Sequence, residues 1–376
     1  MFALIRVALL SAIGFFLAVV VAFFGLTEQA TAPSEQVPAL VQKTPEQKQA
    51  TTTLPLPKPK VTSTPAVQTP QPKIEEAISS ITKTLTTIPA QSSTSTLSLN
   101  DRVRAATVNI LCQNQSGSAL NSISASGVVV DPRGIILTNS HVAQYLLLKD
   151  YPSPGSVQCI VRVGSPAEPR YRAELLFLPP SWIAKNAQKI LDEKPLGNGE
   201  HDYALIRITG TTDQNASLPP SFSFLPLSAD PPIEGQSALI AGYPAGFLGG
   251  AIIQKDLYAA SSFAQVGQLY TFVSSTIDVF SVGGSVVAQQ GSSGGAVADQ
   301  GGILIGIITT SSEAAQTSDR DLRALSTSYI IRDFASESGT ALGIFLGGDT
   351  AQEAHSFAQT TAPSLTAQLV SALGGK

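Results

Sequence analysis

Hydrophobic positions fall into four regimes along this chain. From Val7 to Leu26 they run almost without a break and without a charge. From Thr27 to Leu97 they are thinly scattered among Pro, Thr, Gln and Ser, with no aromatic residue. From Ser98 to about Phe334 they come in short β-branched or alternating runs, and beyond that point they return at helical spacing.

Each regime predicts a different kind of structure. A run of about 20 apolar residues can cross a hydrocarbon core of ~30 Å as a helix. With Arg6 before it and Glu28 after it, the positive-inside rule keeps the N-terminus cytoplasmic and the rest outside. Residues 1–26 therefore read as a single-pass transmembrane signal anchor. A cleaved signal peptide, leaving a secreted body, is the alternative, although the run is long for one and the cleavage sites at Ala30 and Ala32 are poor. Residues 27–97 form a Pro/Thr-rich linker that cannot bury enough surface to fold and would span roughly 45–50 Å as a flexible chain. Within it, residues 73–88 place Ile74, Ile78, Ile81, Leu85 and Ile88 at heptad spacing. That is either a short solitary helix or a tether that would make a homo-oligomer.

The third regime predicts an all-β body. Ala106–Cys112, Ile123–Val130, Gly134–Thr138, Gln158–Val163, Tyr171–Leu178 and Tyr203–Ile208 have strand length and strand composition. A helical insertion over Ser181–Lys194 interrupts them. After the proline-rich join Leu218–Pro232 come Ala238–Gly242, Tyr270–Ser274, Ser285–Gln289, Ala296–Asp299, Ile303–Thr309 and Ala324–Tyr329. Two sets of six predict two packed six-stranded antiparallel β-barrels, over about 98–217 and 232–334. The tail, 335–376, reads as helical: Pro363 suits a first helical position, and Leu365, Leu369 and Leu373 lie four apart ahead of Gly374.

Composition narrows the function classes. Only 13% of residues are charged and the net charge is −4. No basic block offers a footprint for nucleic acid. Three histidines and two cysteines form no cluster along the chain, so neither a metal nor a cofactor is expected. His201 reads as a surface or strand-edge residue.

Three segments carry candidate chemistry. Gly291-Ser292-Ser293-Gly294-Gly295-Ala296 sets a serine among glycines, where the backbone can approach a substrate closely. Leu137-Thr138-Asn139-Ser140-His141-Val142 supplies an imidazole at a strand end. Asp202-Tyr203-Ala204-Leu205-Ile206 supplies a carboxylate before an apolar strand. An attacking serine needs a base, and the base needs a partner that fixes its tautomer.

In order and spacing these segments resemble the catalytic segments of trypsin-like serine proteases, closest to the bacterial HtrA/Deg-type branch. The resemblance spans about residues 98–334. It implies chymotrypsin-like barrels, with Ser293 as nucleophile, His141 as general base and acid, and Asp202 as its orienting carboxylate. The backbone N–H groups of Gly291 and Ser293 would form the oxyanion hole. Val287 would line the substrate pocket, with Thr309, Thr310 and Ser311 as a wall against the substrate backbone, and a small or aliphatic P1 residue would fit. Cys112 and Cys159, on the first and fourth strands, become candidates for a disulfide where the first barrel closes. Ser292 stands where digestive members have an Asp that pairs with a new N-terminus, so activation by N-terminal cleavage is not implied. The tail is too short for a PDZ module. Substrates would be proteins or peptides.

Two other readings remain at this level. One is a protease-like binding module without activity. The other takes Gly-x-Ser-x-Gly as the nucleophile elbow of an α/β-hydrolase esterase, with His355 as the base and Asp321, Asp333 or Asp349 before it. That elbow requires a helix after the serine, where this sequence reads as strand, turn, strand.

Overall fold

Ser98 caps the first helix, its Oγ accepting the Asp101 N–H at 3.2 Å. This helix, α1 (Leu99–Ala106), buries Val103 and Ala106. Six strands follow: β1 (Thr107–Asn114), β2 (Ile123–Asp131), β3 (Ile135–Thr138), β4 (Val157–Val163), β5 (Glu168–Phe177) and β6 (Ala204–Thr211). They close into an antiparallel barrel in the order β1-β2-β3-β6-β5-β4. The computed structural model describes residues 98–374 apart from 116, 118, 119, 193–196, 273, 274, 312–315, 317 and 318, and excludes the side chains of 310 and 311. The apolar run 1–26, the linker 27–97 and the heptad-spaced stretch 73–88 lie outside the described residues. Among the described residues no helix is long and apolar enough to cross a membrane.

Closure of this barrel brings the cysteines together. β1 pairs with β4 so that Cys112 stands opposite Cys159, and the two are disulfide-bonded. The bond links positions 47 residues apart, a loop whose closure restricts the unfolded chain by about 4 kcal/mol on a chain-entropy estimate. Replacing both cysteines by Ala is expected to lower the unfolding free energy by about 2–4 kcal/mol, read from urea melts. An unchanged midpoint would show that the bond is not needed to hold the barrel closed.

Two short helices lie between strands of this barrel, α2 (Ser140–Leu147) after β3 and α3 (Pro180–Asn186) after β5. The second barrel expected from the sequence is an open, half-barrel sheet. Its strands are β7 (Ser237–Gly242), β8 (Ala260–Gln265), β9 (Leu269–Tyr270), β10 (Val279–Gly283), β11 (Ala296–Asp299), β12 (Leu304–Ser311) and β13 (Leu322–Ser326). The order is β8-β7-β11-β12-β13-β10-β9, with no ladder joining the two edges. The reason lies between those edges. Residues 266–268 bond irregularly, Gly267 N–H to the Ser281 carbonyl at 2.8 Å and Ser281 N–H to the Gln268 carbonyl at 2.9 Å. Such isolated bonds bring the edges together without a continuous ladder, and β9 has only two residues.

The Ser285–Gln289 stretch is also not a strand. It folds into successive turns, Ala288 N–H to the Ser285 carbonyl at 2.9 Å and Gln289 N–H to the Val287 carbonyl at 2.8 Å, while burying Val287 and Ala288 completely. A further short helix, α4 (Gly250–Lys255), lies between β7 and β8.

The tail is helical, as the leucine spacing predicts, in four pieces: α5 (Thr327–Ser338), α6 (Leu342–Gly347), α7 (Thr350–Thr360) and α8 (Ala362–Gly374). Phe177 from β5 meets Phe334, Phe345 and Phe357 from the first three of these helices. Leu365 and Leu369 of α8 are buried. The tail thus covers an outer face of the first barrel.

Candidate active site

The register of β3 against β6 sets the geometry. Thr138, the last residue of β3, pairs with Ala204, the first of β6. Because the strands are antiparallel, the residues after Thr138 and those before Ala204 leave the sheet at the same end. His141 and Asp202 therefore meet although 61 positions separate them. His141 Nδ1 lies 2.8 Å from Asp202 Oδ2, and the His141 backbone N–H donates to Asp202 Oδ1 at 3.0 Å. Thr309 Oγ1 adds a third bond, to Oδ2 at 2.9 Å.

Each residue of Thr138-Asn139-Ser140 fixes part of this corner, and all three are fully buried. Thr138 Oγ1 donates to the Ser126 carbonyl at 2.8 Å. Asn139 Nδ2 donates to the Asp202 carbonyl at 2.8 Å, and Ser140 Oγ donates to the Tyr203 carbonyl at 2.6 Å. The imidazole thus leaves a short helix whose base is bonded to the segment leading into β6, which carries its partner.

Burial works against charge on the His141 ring, but the Asp202 charge and hydrogen bond outweigh it and raise the imidazole pKa above its usual 6.5. Burial likewise opposes ionisation of Asp202; the His141 interactions and the Thr309 bond hold its carboxyl below the usual range.

The glycine-rich turn is bonded to the same corner. Ser126 N–H donates to the Ser293 carbonyl at 2.8 Å, and Gly294 N–H to the Ile308 carbonyl at 2.8 Å. Gly294 has φ +80°, and a Cβ there would lie 2.2 Å from the Ser126 carbonyl oxygen and 2.5 Å from Thr138 Oγ1. Only glycine lets the turn sit this close to β2 and β3. Gly291 has φ +93°, with the Tyr243 carbonyl oxygen 2.5 Å from where a Cβ would be.

A trans peptide points its carbonyl and N–H in opposite directions. The Gln290 carbonyl accepts the Ala245 N–H at 2.7 Å, which turns the Gly291 N–H the other way. Among the described residues neither that N–H nor the Ser293 N–H donates a hydrogen bond, and the Ser293 hydroxyl makes none. Two main-chain donors thus stand unspent beside a half-exposed hydroxyl. Free main-chain donors of this kind can receive an oxyanion.

Residues 125–307 match the family model of the trypsin-like peptidase domain. This segment is a trypsin-like peptidase domain. Trypsin-like peptidases are serine endopeptidases, and that is the enzyme class of the chain. No curated protein matches it. Among solved structures, the Rv3671c protease from M. tuberculosis is similar at 17% identity in an inactive mutant form, over 64% of this chain and 91% of that one, with a TM-score of 0.40. Its active form is similar at 18% identity over 64% and 85%, with a TM-score of 0.39. A serine endoprotease from Yersinia pestis is similar at 20% identity over 65% and 68%, also at 0.39.

Within the peptidase domain, Ser126 is a residue the sequence did not single out. Its Oγ donates to the Gly291 carbonyl at 2.8 Å and accepts the Tyr243 N–H at 2.9 Å. One buried serine on β2 therefore ties the first barrel both to the Gly291 turn and to Tyr243, the residue after β7. Thr309, expected as part of the substrate wall, directs its hydroxyl to Asp202. Thr310 and Ser311 have side chains outside the described residues. Val287 is buried among Phe280, Ile308 and other apolar side chains of the open sheet.

Ser292 is fully buried and its hydroxyl has no partner among the described residues. The esterase reading fails on architecture. The chain continues from the turn into strand β11, and His355 lies exposed on α7, in the tail. His201, expected at the surface, has a side chain only 14% exposed, with Nδ1 2.9 Å from Asp333 Oδ2.

Proposed function

We propose that this chain is a membrane-tethered serine endopeptidase that cleaves protein or peptide substrates through an acyl-enzyme. The observation that carries the reading is the Asp202–His141 pair held at 2.8 Å beside a serine turn with two unspent N–H donors. Ser293 Oγ attacks the scissile carbonyl. His141 Nε2 takes its proton and returns it to the leaving amine, and Asp202 keeps the other ring nitrogen protonated. The N–H groups of Gly291 and Ser293 receive the oxyanion.

Position 287 carries a valine buried among apolar side chains and no carboxylate, so a P1 Lys or Arg would find no charge partner there and a small or aliphatic P1 side chain is favoured. Residues 98–334 would be the catalytic domain and 335–376 its helical tail. The uncharged run 7–26 and the linker 27–97 support a body held outside the membrane on a leash.

A fluorophosphonate probe tests the site and its titration together. Labelling is expected at Ser293 and nowhere else. Its rate depends on neutral His141, whose pKa lies above 6.5. The rate therefore falls as pH drops through that raised value, so the midpoint of the acidic limb lies above 6.5. The His141–Asp202 attraction has the opposite sign for stability: it is fully present below 6.5 and is lost as pH rises through the folded pKa. No labelling of folded protein at pH 8 would overturn the proposal, as would a flat rate between about pH 5 and 8.

A further inference from the structure

Arg162 on β4 is fully buried, and among the described residues no carboxylate pairs with it. A guanidinium is costly to hold away from water without an acidic partner. Its bonds go instead to uncharged oxygens on two separate parts of the fold. Nε donates to Asn109 Oδ1 at 2.8 Å, and Asn109 Nδ2 donates to the Ala125 carbonyl on β2 at 2.7 Å. That end is fixed to the first barrel.

The other end leaves the barrel. Arg162 Nη1 donates to the Ile253 carbonyl at 2.8 Å and to the Gln254 carbonyl at 3.0 Å. Both lie in the last turn of α4, where carbonyls lack helical partners and the dipole leaves partial negative charge. The cation suits that place. Among the described residues, these two bonds are the hydrogen bonds that tie residues 246–256 to the rest of the molecule.

The segment that Arg162 holds is also the wall behind the two unspent donors. Ala245 N–H holds the Gln290 carbonyl at 2.7 Å. A Cβ on Gly246 would lie 3.3 Å from the Gln290 nitrogen, and one on Gly291 would lie 2.5 Å from the Tyr243 carbonyl oxygen. Residues 243–246 and 289–291 therefore pack backbone to backbone. Ile253 packs on the small apolar cluster of Ala167, Tyr243, Ala245 and Leu257. One residue whose carbonyl Arg162 holds thus rests on the cluster containing the residue that orients the 290–291 peptide.

The geometry points to Arg162 as a positioning residue for the hydrolysis. By fixing α4 to the first barrel it keeps Ala245 against the Gln290 carbonyl, and so keeps the Gly291 N–H turned away and free to receive the oxyanion. The inference rests on the acyl-enzyme reading proposed above. Without Arg162 the segment loosens and the Ala245 bond is made only part of the time. The 290–291 peptide can then turn over, which sets a carbonyl oxygen where a donor is needed.

The test compares two variants of the full chain. Arg162→Met keeps an unbranched stem and removes the donors. Arg162→Lys keeps the charge, but its shorter side chain cannot span from Asn109 to both carbonyls. The readouts are kcat and KM on one peptide substrate, the urea midpoint, and the rate of fluorophosphonate labelling against pH. The phosphonyl oxygen of that reagent draws on the same two donors.

In Arg162→Met, kcat and the labelling rate are expected to fall together by about 10–100-fold, short of the ~10²–10³ for outright loss of an oxyanion donor. KM is expected to stay unchanged, as for an interaction made only in the transition state. Arg162→Lys is expected to fall between this variant and the wild type, and it carries the test alone if Arg162→Met does not fold. The acidic midpoint of labelling stays at its wild-type pH in both, because no bond of Arg162 reaches His141 or Asp202. An unchanged labelling rate in a folded variant would overturn the inference and leave the acyl-enzyme reading intact. So would a loss confined to KM, or a displaced acidic midpoint, which marks a general loosening of the site. A wild-type protein that does not label overturns that reading, and this inference with it.

Discussion

Ser293→Ala is expected to lower kcat by about a millionfold, the loss seen when the nucleophile of a triad is removed. The fold should be untouched. The Ser293 hydroxyl makes no hydrogen bond among the described residues, while its carbonyl, which holds Ser126 N–H at 2.8 Å, stays in place. Alanine also accepts the backbone conformation of a serine, so melting should shift by no more than about 0.5 kcal/mol. His141→Ala should cost a similar factor, and the double variant little more, because nucleophile and base act as a unit.

A residual rate of about 10³–10⁴ over water should persist, supplied by the Gly291 and Ser293 N–H groups and by binding. His355→Ala should leave kcat unchanged, since that imidazole lies exposed on the tail. Assay of the four variants on one peptide substrate checks the set. A Ser293→Ala protein that keeps more than about a hundredth of the wild-type kcat would remove Ser293 from the role of nucleophile.

The proposed triad residues could be singled out in sequence because each sits in a short, chemically distinctive segment beside a strand. The first barrel was readable for a related reason. Its strands are apolar runs punctuated by turns, and the observed strands differ from expectation by at most three residues at an end. What the sequence concealed is side-chain work that depends on register. Ser126 looks like any strand serine until β2 is placed against the 291–294 turn. Thr309 looks like a pocket residue until β12 brings its hydroxyl to Asp202.

Ser285–Gln289 shows the opposite error. Its valines suit a strand, but the segment bonds to itself in turns, Ala288 N–H to the Ser285 carbonyl and Gln289 N–H to the Val287 carbonyl. β8 went unnoticed because its composition is weak: Ala260–Gln265 is mostly Ala and Ser, with Phe263 77% exposed. The contact between His201 and Asp333 is invisible in the sequence, since 132 positions separate them.

Asp202→Asn is expected to cost about 10⁴-fold in kcat while the site keeps its shape. The argument follows from the three bonds that Asp202 accepts. Oδ1 takes the His141 backbone N–H at 3.0 Å, and Oδ2 lies 2.8 Å from His141 Nδ1 and takes the Thr309 hydroxyl at 2.9 Å. An amide has one oxygen and one NH₂ group.

With its oxygen toward the His141 backbone N–H, the NH₂ faces Nδ1, which must then accept. The ring proton moves to Nε2, and that nitrogen can no longer take the proton of Ser293. Turned the other way, the amide restores the Nδ1–H bond but sets NH₂ against the His141 backbone N–H, two donors in a site that is 6% exposed. A buried donor left without an acceptor costs about 1–3 kcal/mol, so the first orientation dominates and the base is held in the wrong tautomer. Thr309→Val separates tautomer from packing: it removes one bond to Oδ2, leaves Nδ1–H in place, and should cost roughly 10- to 100-fold, the worth of one hydrogen bond to a charged group. Fluorophosphonate labelling rates for the two variants, beside their melting curves, make the comparison. Equal losses in the two would mean that Asp202 holds the corner together without selecting the imidazole tautomer.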